Sequence, residues 1–222
     1  MDIFYTTSAH INGTEIEIWF DMYPLLDGRY AQGILGVSAL VRNFCNGKDC
    51  SGVPEVQTAV NKLSENLGEN CFSSEDKNVI LSLKAIGNIG YLFGKEDLLQ
   101  ACYRNPQIRT EARLAAIEAF RRVSCDVNRE ELMEAYSNYN EDTEIRIAAY
   151  LAVMKCPTIS RIQEIKDVLL NEKINHVGSF IWTHLTALSK TKHPERREIR
   201  DIVSNLYLMN KFASDARKFS TA

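Results

Sequence analysis

The sequence predicts an all-α fold: about ten helices in antiparallel pairs, stacked as a two-layer α/α solenoid. Three observations predict it. A four-residue phrase, apolar–any–alanine–apolar, recurs as Leu83-Lys84-Ala85-Ile86, Ile117-Glu118-Ala119-Phe120, Tyr150-Leu151-Ala152-Val153 and Leu185-Thr186-Ala187-Leu188, so that the alanines step by 34, 33 and 35 residues. The two middle copies agree over a longer window, with Thr110-Glu111-Ala112-Arg113-Leu114-Ala115-Ala116 lying over Thr143-Glu144-Ile145-Arg146-Ile147-Ala148-Ala149. Breakers such as Asn105-Pro106, Pro157 and His193-Pro194 separate the periodic stretches. A period in this range marks a helical-repeat array. The small alanine lets neighbouring helices approach closely while bulky residues fill the gaps beside it.

Residues 1–30 are the least regular and are read as an irregular N-terminal segment of the same domain, with 31–222 as the helical-repeat domain. Ile16, Ile18 and Phe20 alternate like a strand, whereas Ile16, Trp19, Phe20 and Tyr23 share a helical face, and the helix is the preferred reading. Asp27-Gly28 marks a turn. Ile34, Val37, Leu40, Val41 and Phe44 make one face of a helix over 33–44. Pro54 suits the first turn of a helix that Gly68 stops. Ser74 is the expected cap of a helix running to about Tyr91, with Glu75 and Asp76 in its first turn. Further helices are expected over 95–103, 108–122, 129–139, 143–155 (capped by Asp142), 159–171, 176–190 and 196–210.

Composition excludes several function classes. A net charge of −3 gives no pull toward nucleic acid. No apolar run approaches a membrane span. The opening Met1-Asp2-Ile3-Phe4 lacks the charged start and apolar core of a signal peptide, which bears on secretion only if Met1 is the true start of the protein. Histidines 10, 176, 184 and 193 have no partner histidine at a spacing of three or four, so no metal site is expected. Neither a nucleophile elbow nor a phosphate loop is present, and Gly87, Gly90 and Gly94 read as close-packing positions and a helix stop. No enzymatic activity and no cofactor are expected. Arg113 and Arg146 occupy equivalent repeat positions near Glu111, Asp142 and Glu144, which reads as a structural charge ladder. Lys190, Lys192, His193, Arg196, Arg197 and Arg200 form a basic cluster that reads as a solvated face, with an acidic surface or receptor as the alternative.

The six cysteines are more informative. None forms a CxxC pair. Cys71 precedes the first helix of a pair and Cys102 ends the second, and an antiparallel hairpin brings those ends together. Cys125 and Cys156 fall just past first helices of adjacent repeats, and Cys45 and Cys50 flank a short loop. The expected bridges are Cys45–Cys50, Cys71–Cys102 and Cys125–Cys156, which implies an oxidising, extracellular setting. Asn12-Gly13-Thr14 is a glycosylation sequon in keeping with secretion.

Leu83-Lys84-Ala85-Ile86-Gly87-Asn88, Arg146-Ile147-Ala148-Ala149-Tyr150, Val177-Gly178-Ser179-Phe180-Ile181-Trp182-Thr183-His184-Leu185 and Arg217-Lys218-Phe219-Ser220 resemble the α-helical domain of the large lipid transfer proteins. That family includes vitellogenin, apolipoprotein B, the microsomal triglyceride transfer protein and insect apolipophorin, and Ala115-Ala116-Ile117-Glu118-Ala119-Phe120-Arg121-Arg122 is most like apolipophorin. The resemblance implies a horseshoe of two helical layers cradling β-sheets of a much longer secreted chain, with lipid between them. It also implies the Cys45–Cys50 and Cys71–Cys102 bridges, whose positions match the family's. The function expected is lipid transport, as a structural shell that packs on lipid-binding β-sheets. The competing reading is a helical-repeat scaffold that binds a protein and has no lipid role. Which residues touch lipid is left open.

Overall fold

A computed structural model describes residues 11–22, 31–68, 71, 76–204 and 212. The readings placed on Tyr23, Asp27-Gly28, Ser74 and the stretches 205–211 and 213–220 fall outside the described residues. Every described element is helical: α1 (Gly13–Met22), α2 (Ala31–Phe44), α3 (Pro54–Glu65), α4 (Asp76–Ile89), α5 (Glu96–Arg104), α6 (Thr110–Glu118), α7 (Glu130–Ser137), α8 (Thr143–Val153), α9 (Ile159–Asn171), α10 (Asn175–Lys190) and α11 (Arg197–Ser204), with 3₁₀ turns at Ala119–Arg122 and Pro194–Arg196. The chain divides into two compact units, Met1–Asn128 and Arg129–Ala222.

In the first unit α4 packs against α2 on one side and α6 on the other, while α1 lies on α3 and α5 on α6. The helical reading of the N-terminal stretch holds: Ile16 and Phe20 are buried and Ile18 is exposed, as a helix requires and an alternating strand forbids. Pro54 opens α3 at its first position. Gly90, at φ +80°, ends α4 one residue past its last turn. The helix expected over 108–122 tightens into the 3₁₀ turn after Glu118. That turn carries Arg121 back over α4, where it donates to the Lys84 carbonyl at 3.1 Å and to Asn88 Oδ1 at 2.5 Å. Asn88 Nδ2 in turn donates to Leu35 O (3.3 Å) and Ser38 Oγ (3.1 Å) of α2. Gly87 permits the approach, since a β-carbon there would stand 2.8 Å from the Ala119 α-carbon.

In the second unit α8 packs on α7 and α10, and α9 and α11 both lie on α10. Asp142 caps α8 by accepting from the amides of Glu144 (2.8 Å) and Ile145 (3.3 Å). Thr158 does the same for α9 through Arg161 N. The repeated alanines Ala85, Ala119 and Ala152 are buried at helix contacts. Ala187 is exposed.

The largest departure from the sequence reading concerns the partners of the two arginines. Both are buried, Arg113 at 5% exposed and Arg146 at 0%. Each donates through Nε to a carbonyl near the end of the preceding helix, Arg113 to Tyr103 O at 2.7 Å and Arg146 to Tyr136 O at 2.9 Å. Those carbonyls belong to last turns, where no intrahelical donor exists. The carboxylate of Arg146 is Glu172, itself buried, which also accepts from the amides of Lys173 (3.0 Å) and Ile174 (2.8 Å). Asp142 is occupied as a cap and Glu111 pairs with exposed Arg109. The guanidinium of Arg146 also lies 5.1 Å from the ring centre of Tyr139 and 5.9 Å from that of Tyr136.

Candidate functional site

Among the described residues no three His, Cys, Asp or Glu side chains form a group able to hold a metal ion. His176 is half-buried and His193 exposed. His184 meets Tyr150 across α8 and α10, with Nδ1 2.8 Å from the phenol oxygen. His10 lies outside the described residues.

The feature that recurs is an apolar position. Five residues before each repeated alanine stand Ile80, Leu114, Ile147 and Trp182, and all four are half-buried. They fall on α4 and α6 of the first unit and on α8 and α10 of the second. One residue before the alanine of α8 stands Leu151, 40% exposed. A helix inside a two-layer stack buries one face against its partner and two flanks against its neighbours, and these positions lie on what remains. The Trp182 indole Nε1 is buried with no acceptor among the described residues. Val177, Phe180, Ile181, Leu185 and Leu188 make α10 apolar over more than one stripe, a width that by itself does not say which residues stay outward. The alanine register carries that signal. A second apolar feature escaped it: a groove of about 610 Å³ beside the start of α9, floored by Pro157, Ile159 and Ile202 and edged by Gln163, Glu198 and Asp201. Ile159 there is 73% exposed.

Cys45 is bonded to Cys50 (Cα–Cα 5.7 Å) and Cys71 to Cys102 (5.1 Å). Cys125 and Cys156 are also in disulfide linkage, and no free cysteine occurs among the described residues. The amide of Cys50 donates to the Tyr91 hydroxyl at 3.1 Å, which ties the short cysteine loop to the end of α4.

Lys190, Lys192, His193, Arg196 and Arg197 are exposed around the turn between α10 and α11. Arg200 is drawn to Asp201 at 2.7 Å. Asn12 is exposed and forms a capping box with Glu15: its Oδ1 accepts from the Glu15 amide (2.9 Å) and its own amide donates to Glu15 Oε2 (2.8 Å). Glycosylation uses Nδ2 and leaves that Oδ1 bond intact. We propose that Asn12 is glycosylated in chain taken from its natural source. Enzymatic deglycosylation is expected to shift the mass of the peptide containing Asn12, and a peptide of unmodified mass before treatment overturns the assignment.

Residues 31–186 match the family described as the vitellogenin TPR domain. The chain belongs to that family. It is 34% identical to apolipophorins of Manduca sexta over 193 residues, 84% of this chain and 6% of that protein. It is 29% identical to apolipophorins of Locusta migratoria over 221 residues, 97% of this chain and again 6% of that protein. The chain thus spans a small fraction of the length of these relatives. A solved structure of lipovitellin, described by its lipid–protein interactions, superposes with a TM-score of 0.67 at 21% identity, covering 78% of this chain and 19% of that one. The vitellogenin-type helical fold is thereby established for the chain. Among the described residues, no helix of this family member is long and apolar enough to cross a membrane.

Proposed function

We propose that the chain is a wall segment of a secreted lipid-carrying lipoprotein. The observation that carries this reading is the match to apolipophorins along most of the chain, at 34% identity over 193 residues for Manduca sexta. The helices support it in two ways. Each unit has its own incompletely buried apolar positions, Ile80 and Leu114 in the first and Ile147, Leu151 and Trp182 in the second, and each set suits a surface that sheets of the same polypeptide cover. The disulfides suit an oxidising, extracellular compartment. The described helices bury their main apolar faces against each other, and so the chain is assigned the wall and not the lipid reservoir.

The test is lipid extraction and mass analysis of the purified chain. It is expected to fold as a helical unit, to self-associate through its uncovered apolar positions, and to carry no stoichiometric neutral lipid. Several tightly held acylglycerols per chain would make this segment the lipid site itself and end the wall reading.

A further inference from the structure

We infer that the contact between α8 and α10 is an acid-sensitive latch, closed by the Tyr150–His184 hydrogen bond near neutral pH and loosened when His184 takes up a proton. The inference rests on the second unit's own geometry and is independent of any lipid.

Tyr150 is completely buried, and its hydroxyl has His184 Nδ1 at 2.8 Å. Its ring meets that of His184 edge-on at 5.5 Å and that of Phe180 edge-on at 6.5 Å, and lies 5.7 Å from that of Tyr136. Tyr136 in turn donates its hydroxyl to the Ile165 carbonyl of α9 at 3.3 Å. One aromatic chain thus runs from α10 through α8 and α7 to α9, and His184 is its outermost, half-buried member. Burial holds the Tyr150 phenol well above its ordinary range, so it stays protonated and donates. Nδ1 therefore accepts, and the neutral imidazole keeps its proton on Nε2.

Among the described residues, the charged group acting on His184 is Arg196, from the 3₁₀ turn before α11, and the titratable group facing it is Tyr150. Burial first, and then the Arg196 charge, hold the imidazole below its ordinary pKa of 6.5. Protonation would convert Nδ1 from acceptor to donor. It would also leave the buried phenol proton without a partner and set a second positive charge beside Arg196. The sign follows from the depressed folded value. The unfolded chain binds the proton first as pH falls, so the stability held by the latch is full above the ordinary histidine range and is lost as pH drops through the folded pKa. A protein built this way is firm at neutral pH and loosens under acid.

The test uses the full 222-residue chain and two readouts. Imidazole NMR is expected to show His184 as the Nε2–H tautomer at pH 7.5, titrating below 6.5; an Nδ1–H tautomer, or titration at or above 6.5, overturns the latch. In thermal unfolding, the wild-type Tm is expected to fall by several degrees between pH 7.5 and 5.5. His184→Asn, whose amide oxygen stands where Nδ1 accepts but cannot titrate in this range, is expected to lose at least half of that fall. A His184→Asn chain that keeps the whole fall overturns the proposal. Should that variant fail to fold, the wild-type titration decides alone.

Discussion

Arg146→Ala is expected to destabilise the second unit by about 3–5 kcal/mol, the cost of leaving one member of a buried ion pair without the other. The side chains of Arg146 and Glu172 are 0% and 1% exposed, so water cannot screen the orphaned carboxylate. The same change removes the donor from the Tyr136 carbonyl, itself at a helix end where no backbone amide can substitute. Glu172 would keep its two amide donors from Lys173 and Ile174, which soften the loss without cancelling it. The double replacement Arg146→Met with Glu172→Leu is expected to cost less than Arg146→Ala alone, because it removes both charges together. Urea unfolding followed by circular dichroism measures both. A cost below about 1 kcal/mol for Arg146→Ala would show that the pair is solvated, contrary to its burial here.

Joint replacement of Cys71 and Cys102 by serine is expected to cost roughly 3–4 kcal/mol in the chain-entropy model, since the bridge closes a loop with a sequence separation of 31. The Cys45–Cys50 bridge spans only 5 residues and should contribute roughly 2 kcal/mol. The contrast is the measurement: the long-loop variant must lose more stability than the short-loop one. Non-reducing peptide mapping of the unmodified chain checks the pairing beforehand. The same map reads the third bridge, which the cysteine spacing places between Cys125 and Cys156. A cross-linked peptide joining any other two of these six cysteines would refute the assignment.

The helices were legible in the sequence because their signals are local. Asp142 caps α8 as its position before an apolar-periodic run requires, and α9 occupies the expected 159–171. Ile16 and Phe20 outvoted the strand pattern because burial follows a face that only a helix supplies. The arginines were misread for an equally physical reason. Arginine is mostly a surface residue, and the nearby Glu111, Asp142 and Glu144 offered easy partners in sequence. The true partner of Arg146 stands 26 residues away, and pairing over that distance is set by tertiary packing. One signal was available: Tyr103 and Tyr136 recur at the same spacing of 33 as Arg113 and Arg146. The outward apolar row was half legible, since the alanine register locates it but only packing decides which side is left uncovered.

The bonds from Arg113 to Tyr103 and from Arg146 to Tyr136 each span ten residues, and each reaches across an interhelical connection. They therefore act as rulers of length. One inserted residue can displace a connection by about 3.8 Å, several times the distance range within which a hydrogen bond survives. Drift in chain length at 105–109 or 138–142 would detach a buried guanidinium from the helix end it serves. Length variation among relatives of this domain should accordingly accumulate elsewhere, and a change of even one residue in either connection should arrive together with loss of the arginine that measures it.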